Sequence, residues 1–429
     1  MKKILLISLL GLHLFLLIHL QFTAWPEVLS FPYLISKGFL LYKDAIHVYP
    51  PLLDFILLGI YKIFGFKLLS LEAFTWVFIL LNDLLVFSLA KKLSGQFWTA
   101  FAVLFVYVLL QPTLEGNMLW YDTALVTPLL ASLYFYLVKK NYWLIGISLA
   151  TAVLIKQTAG IFVLVFLGYL ISQKIKVTRI ILPLAIAGGL FLVYLLATHS
   201  LIQFIDWNLY YPVVYWSKFP GYVEFTLGKK DYFILILLAL PVFIGVVRRK
   251  FFLALLFLAC LIMVYPRFSY FHLQPALALS VVSISYLKKS LIYIFSLVIF
   301  ATITLPAWRS LWNREAQFYS TTEFNQAKAV SDIVRPNEKV YFLGAFSTLY
   351  VLADRQPPKI WTDNFGWYLE IPGVQQKIIN SWETNKPSYI VWQLSNVYQP
   401  KLITDWINRN YSKIGQLDNE NSLYKLLPK

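Results

Sequence analysis

A single cysteine, Cys260, stands among the 429 residues, inside an apolar run. No intramolecular disulfide can form, and no cysteine cluster can hold a metal. Charge is scarce as well. Asp, Glu, Lys and Arg make up 14% of the chain, where soluble domains have about a quarter. The hydrophobic share is 59% and the mean hydropathy +0.66. One large core does not account for this, because apolar runs of spanning length recur from residue 4 to residue 306. An ordinary soluble domain is therefore excluded. Also missing are a Gly-rich phosphate loop, a nucleophile motif in the polar C-terminal segment, an internal repeat and a low-complexity tract. No loop on the basic side of the chain is long enough to fold a nucleotide-sugar site.

Acids are the scarcer charge: 21 Asp and Glu stand against 37 Lys and Arg, a net charge of +16. In a soluble protein this excess would point to nucleic acid. Here most of it lies in short loops between apolar runs, so it reports topology, and nucleic acid is not expected as a partner. Aromatic residues make up 18%, and many Tyr and Trp sit at the ends of the runs, where a lipid interface favours amphipathic rings.

A membrane helix needs about 20 apolar residues. The candidate spans are 4–22, 71–90, 97–112, 122–138, 142–155, 159–172, 180–198, 231–247, 251–265, 270–286 and 290–306. The first follows Met1-Lys2-Lys3 and has no A-x-A-like site after it, so it reads as an uncleaved span rather than a signal peptide. Basic clusters at Lys2-Lys3, Lys91-Lys92, Lys139-Lys140, Lys174/Lys176/Arg179, Arg248-Arg249-Lys250 and Lys288-Lys289 mark the cytoplasmic loops. With all six inside, the eleven runs alternate without a violation. The short segment 52–64, with Asp54 and Lys62, then reads as a helix at the outer interface.

The expected fold is an all-α polytopic membrane domain of about eleven transmembrane helices over 1–306, with a first outer loop at 23–70. A soluble exoplasmic α/β domain follows over 307–429. In it, helices are expected at 321–334, 373–384 and 400–410, and strands at Val340–Gly344, Tyr389–Trp392 and 421–427. The N-terminus is expected in the cytoplasm. Asn82-Asp83 lies mid-span, where an acid costs about 2.5–3.5 kcal/mol on insertion scales. It must be paired or hydrated, and a hydrogen bond to a neighbouring helix is preferred over an ion pathway.

Most acids outside the C-terminal segment fall in or beside the outer loops, so chemistry is expected there. The first loop holds Trp25-Pro26-Glu27, Tyr33, Gly38, Tyr42-Lys43-Asp44 and His47-Val48-Tyr49-Pro50-Pro51. Glu27 sits just beyond the first span, where a carboxylate can face a cavity at the membrane surface; its plain reading is an interfacial acid solvated by headgroups. Pro50-Pro51 stiffens the chain or starts a helix.

These residues give the chain a resemblance to the GT-C superfamily of membrane glycosyltransferases. The similar branch includes the protein O-mannosyltransferases and the lipid A aminoarabinose transferases. The matching features are an acid after the first span (Glu27), Gly38 with Tyr42 and Asp44, Pro50-Pro51-Leu52, and Phe64-Gly65. Gly146 to Thr158 resembles a Gly-rich half-span running into a surface lysine, Lys156. Pro266 to Pro275 is similar to an Arg-Tyr run entering a late span, and Leu349 to Pro358 to a segment that follows such membrane domains. The family often has an acidic pair after the first span; this chain has Glu27 alone there.

The resemblance implies inverting transfer of a mannose-like hexose or a pentose from a polyprenyl-phosphate donor to a lipid, glycan or protein acceptor. The site would face the outer side of the plasma (cytoplasmic) membrane. The donor's phosphate departs without a general acid, so cations that meet its growing charge help most. Lys156, Arg267 and His272 are the candidates, with snorkelling to headgroups as the plain alternative for the cations. The attacking hydroxyl must lose a proton, so a carboxylate must face it. Glu27 is the first candidate and Asp122 the second, with Asp44 in reserve; Asp122 also reads as an acid near a helix N-cap. Tyr42, Tyr49 and Tyr270 are expected to contact substrate. Some family members use a divalent cation, but no ligand set in the sequence demands a metal or another cofactor. The rival readings are a polytopic transporter or lipid-carrier flippase, and a scaffold without activity. A transporter would be favoured by acids in several spans and by two matching halves, and neither occurs.

Overall fold

The structure, a computed structural model, describes residues 1–363, 365–393 and 398–428. Every run read as a span is helical, but the helices differ in length. Six are long and apolar enough to cross a membrane: Lys2–His19 (α1), Leu68–Ser94 (α4), Tyr121–Lys139 (α6), Thr178–Ala197 (α9), Lys229–Val247 and Ser290–Leu311. Four apolar helices are shorter: Phe97–Leu110 (α5), Tyr142–Ile155 (α7), Ala159–Ser172 (α8) and Phe251–Ile262. The run at 270–286 contains the helix Gln274–Ser283 and a 3-10 turn, Ile284–Tyr286. At 1.5 Å per residue a 14-residue helix reaches only about 21 Å, short of a hydrocarbon core of about 30 Å. Among the described residues helix length and composition by themselves mark six crossings, and the expected count of about eleven is not confirmed by them.

The breaks have local causes. Pro112 follows α5 and interrupts the ladder. Lys156 is extended, at φ −149° and ψ 125°, and ends α7 where its side chain turns inward. Gly146 allows α7 to lie against α9, since a Cβ there would sit 2.5 Å from the Ile180 carbonyl oxygen. Asp83 is buried mid-span and paired with His13 of α1 at 2.8 Å. The other ring nitrogen of His13 is 3.2 Å from Gln111. The expected hydrogen bond to a neighbouring helix is thus present, between Asp83 and His13.

Two short helices fill the first loop. Glu27–Ser36 (α2) begins directly after Pro26, and Leu52–Phe64 (α3) directly after Pro50-Pro51. They pack on one another, and the Tyr61 hydroxyl donates to the Val28 carbonyl at 3.1 Å.

The C-terminal segment is α/β. Val340–Leu343 (β1) pairs in parallel with Tyr389–Gln393 (β2), and Asn421–Leu426 (β4) lies antiparallel between β2 and Tyr411–Gln416 (β3). The helices Val374–Glu383 and Lys401–Asn410 bury Trp382 and Trp406. Trp382 meets Tyr341 of β1 with ring centroids 4.5 Å apart. This domain locks onto the first loop. The Tyr33 hydroxyl and the Lys37 ammonium each donate to Asp354 at 2.8 Å. Lys359 reaches Asp44 at 2.7 Å. The Ile46 N–H donates to the Trp361 carbonyl, and the Trp361 N–H to the Asp44 carbonyl, both at 2.9 Å.

Candidate active site

Three segments that are distant in sequence bring their polar ends together beside the first loop. At the start of α6, the Trp120 N–H is capped by the Thr123 hydroxyl at 2.8 Å, and Asp122 follows the cap, fully buried. Lys156 arrives from the broken end of α7. Its ammonium donates to both Asp122 oxygens at 2.7 Å. His272 arrives from the turn before Gln274–Ser283, its Nδ1 2.8 Å from Asp122. The Lys156 side chain is 9% exposed. Such burial is tolerable for an ammonium only because the carboxylate faces it. Its nitrogen also lies 5.9 Å from the Tyr49 ring centre.

Tyr49 stacks on Tyr121, centroids 3.8 Å apart. His47 sits behind them, with Nε2 3.0 Å from the Tyr121 hydroxyl and 3.1 Å from Asp54. The Tyr49 carbonyl lies 2.7 Å from His47 Nδ1 and accepts from the Tyr42 hydroxyl, also at 2.7 Å. The Pro50-Pro51 start of α3 therefore holds the Tyr49 ring through its backbone, and Asp54, one turn on, anchors the histidine.

Glu27 opens α2 on the edge of this group. It is 7% exposed, and its Oε2 has no hydrogen-bond partner. Burial raises its proton affinity well above the ordinary carboxylate range, and the negative charge of Asp363 raises it further. Asp363, from the C-terminal domain, is raised by its own burial and lowered by the Ser347 hydroxyl and by His47.

Asp44, Arg267 and Tyr270 lie apart from this group, whereas Tyr42 lies beneath it and donates to the Tyr49 carbonyl. Asp44 is engaged by Lys359 and by the Leu40 N–H, 3.0 Å away, so its carboxylate belongs to the domain junction. Arg267 pairs with Glu224 at 3.0 Å and lies over the Trp367 ring at 5.1 Å, with 38% of its side chain exposed. The Tyr270 hydroxyl is hydrogen-bonded to Asp231. Tyr42 is buried beneath Tyr49 rather than open to a ligand. Among the described residues no group of three or more His, Cys, Asp or Glu could hold a metal.

Four residues of the site were not singled out from the sequence: His47, Asp54, Tyr121 and Asp363. Asp54 had a visible signal, an acid in the first turn of an otherwise apolar helix. Asp363 had none, because only the fold brings it beside Glu27.

A family model described as dolichyl-phosphate-mannose-protein mannosyltransferase matches residues 48–202. The overall structure is similar to ArnT from Cupriavidus metallidurans bound to undecaprenyl phosphate, with 10% identity, TM-score 0.65, and coverage of 100% of this chain and 99% of that one. The apo form of that protein gives 11% identity and TM-score 0.63, with 100% and 99% covered. The chain has the GT-C fold. The oligosaccharyltransferase of Archaeoglobus fulgidus, in complex with Zn and sulfate, is similar over 91% of this chain and 68% of that one, with 12% identity and TM-score 0.51. No curated protein matches the sequence. The family match takes in Tyr49, Asp54, Asp122 and Lys156. Glu27, His272 and Asp363 come from outside it and are joined to it by the fold.

Proposed function

We propose that this protein transfers a sugar from a polyprenyl-phosphate donor to an acceptor hydroxyl on the outer face of the membrane, with inversion at the anomeric carbon. The observation that supports this best is the buried Asp122–Lys156–His272 cluster, set beside a nearly enclosed carboxyl group, Glu27, with an unpartnered oxygen. The similar ArnT chain was crystallised with undecaprenyl phosphate, and the family description over 48–202 names a dolichyl-phosphate-linked donor.

In this reading Lys156 and His272 meet the charge that grows on the departing phosphate. Asp122 holds both side chains in place, which suits a positioning role better than that of a base, since its oxygens are already engaged. Glu27 takes the proton of the acceptor hydroxyl as the oxygen attacks the anomeric carbon. One C–O bond forms, the bond from that carbon to the phosphate oxygen breaks, and polyprenyl phosphate leaves with the electron pair. Arg267, more exposed, would contact the donor from the rim. No step calls for a metal. The sugar is taken to be a hexose or pentose, and the acceptor a lipid, glycan or protein.

The test is to incubate membranes with a panel of polyprenyl-phosphate sugars and to follow carrier release. At least one sugar should be consumed by the wild type. Glu27→Gln should lower turnover by about 10²–10⁴-fold, the usual contribution of a general base, while donor binding stays near normal. Sugar-carrier translocation without release of the carrier would overturn the reading in favour of a flippase.

A further inference from the structure

Glu27 has no second acid beside it in sequence, but it is not isolated in space. Ser30, one turn along α2, is fully buried, and its hydroxyl lies 3.2 Å from the Ser347 hydroxyl of the C-terminal domain. Ser347 in turn is hydrogen-bonded to the Asp363 carboxylate. The chain before Asp363 is fixed on the same side: Trp361 exchanges backbone hydrogen bonds with Asp44 and Ile46 and packs edge-on against Phe31 of α2, centroids 5.3 Å apart. Thr362 is fully buried. A run of hydrogen bonds and packed rings therefore connects the helix that begins with Glu27 to the strand of chain that ends in Asp363.

We infer that Asp363 is a positioning residue for Glu27, the two carboxyl groups acting as one acid–base pair across the domain interface. This rests on the reading of Glu27 as the base. The charge of Asp363 acts on Glu27 and raises its proton affinity, so the protons of the two groups come off in steps that belong to the pair. The base can then keep a high proton affinity without leaving its buried position, which suits it to accept a proton from an alcohol. The charged and titratable neighbours are compatible with this. Asp363 is faced by His47, itself paired with Asp54, and by Tyr341, Tyr350 and Tyr368. Glu27 is faced by Tyr49, Tyr121 and Tyr368.

The experiment is the pH profile of kcat/KM for the full-length protein in membranes, comparing wild type with Asp363→Asn and Asp363→Glu. Asn removes the like charge, so the acid limb of the profile should move to lower pH by on the order of one unit. Glu restores the charge and should return the limb close to its wild-type position. An acid limb that does not move in Asp363→Asn overturns the inference. If that variant does not insert, Asp363→Ser removes the charge with a smaller side chain, and infrared titration of protonated carboxyl groups reads Glu27 directly. Glu27 should there lose its proton at lower pH than in the wild type, and an unmoved band overturns the inference equally. Full turnover by Glu27→Gln would instead remove the reading of Glu27 as the base, an outcome visible separately from the infrared coupling.

Discussion

At Lys156, sequence alone suggested a cation free to meet a phosphate or to snorkel into headgroups. The structure has it buried against Asp122, and that changes what a substitution should do. Removing one partner of a buried ion pair commonly costs about 3–5 kcal/mol, because the other charge is stranded. Lys156→Met should therefore unfold at markedly lower temperature in detergent and lose donor turnover, whereas Arg267→Ala should keep its stability. The exposed pair of Arg267 with Glu224 belongs to a class worth about 0–1 kcal/mol. A Lys156→Met protein as stable as the wild type would show that Asp122 and His272 hold each other without the lysine. Glu27 carries a second expectation. Its proton affinity is raised in the folded chain by burial and by Asp363. The folded state then binds more protons than the unfolded one once pH exceeds the ordinary carboxylate value. Its contribution to stability is full below that value and declines as pH rises toward the raised one. Replacing it with Gln should remove the decline, so urea titrations of wild type and Glu27→Gln should diverge steadily from mildly acidic to neutral pH. Parallel curves would show that Glu27 titrates normally.

At the level of elements, local chemistry was legible wherever a start signal or a period marks a boundary. The proline pair Pro50-Pro51 marked the start of α3, and the polar C-terminal segment showed both strands of its parallel pair, whereas the helix α2 after Pro26 was not foreseen. Two other features escaped. The edge strand β3, Tyr-Ser-Lys-Ile-Gly-Gln, is exposed at all but its first residue, so neither alternation nor an apolar run betrays it. The lengths of the helices also escaped, because hydropathy measures how apolar a run is, not where its backbone stops being helical, as it does before Pro112. Gly146 stands at the place where this matters to the site. A side chain there would press on the Ile180 carbonyl and push α7, with Lys156 at its end, away from α9. Gly146→Leu should cost about 1–3 kcal/mol, the usual penalty of overpacking, and lower donor use; a thermal-unfolding curve and a donor titration measure the two effects. Unchanged donor use in a destabilised variant would mean that α7 shifts without carrying Lys156 with it.

For the whole molecule, the sequence placed basic loops on one side and the acids of the outer loops on the other. The contacts of the first loop with Asp354, Lys359 and Trp361 put loop and C-terminal domain in one compartment. A reporter fused after Lys429 is expected to be active only in the exoplasmic compartment. Activity of that fusion in the cytoplasm would move Glu27 inside along with it. The partners across the junction lay beyond sequence reading, because nothing in residues 347–363 announces that they meet residues 30–46.

That junction also has a meaning in time. The first loop is made well before the segment that clasps it. Roughly 300 residues separate them, and at about 5–20 residues per second the loop waits on the order of tens of seconds for its clasp. During that interval Ser30, Asp44 and the backbone of Ile46 have no Ser347, Lys359 or Trp361 to bind. A nascent chain that stalls after its last hydrophobic helix is therefore left with an open, unclasped loop on the membrane surface, a feature by which proteases could tell an abandoned chain from a finished one.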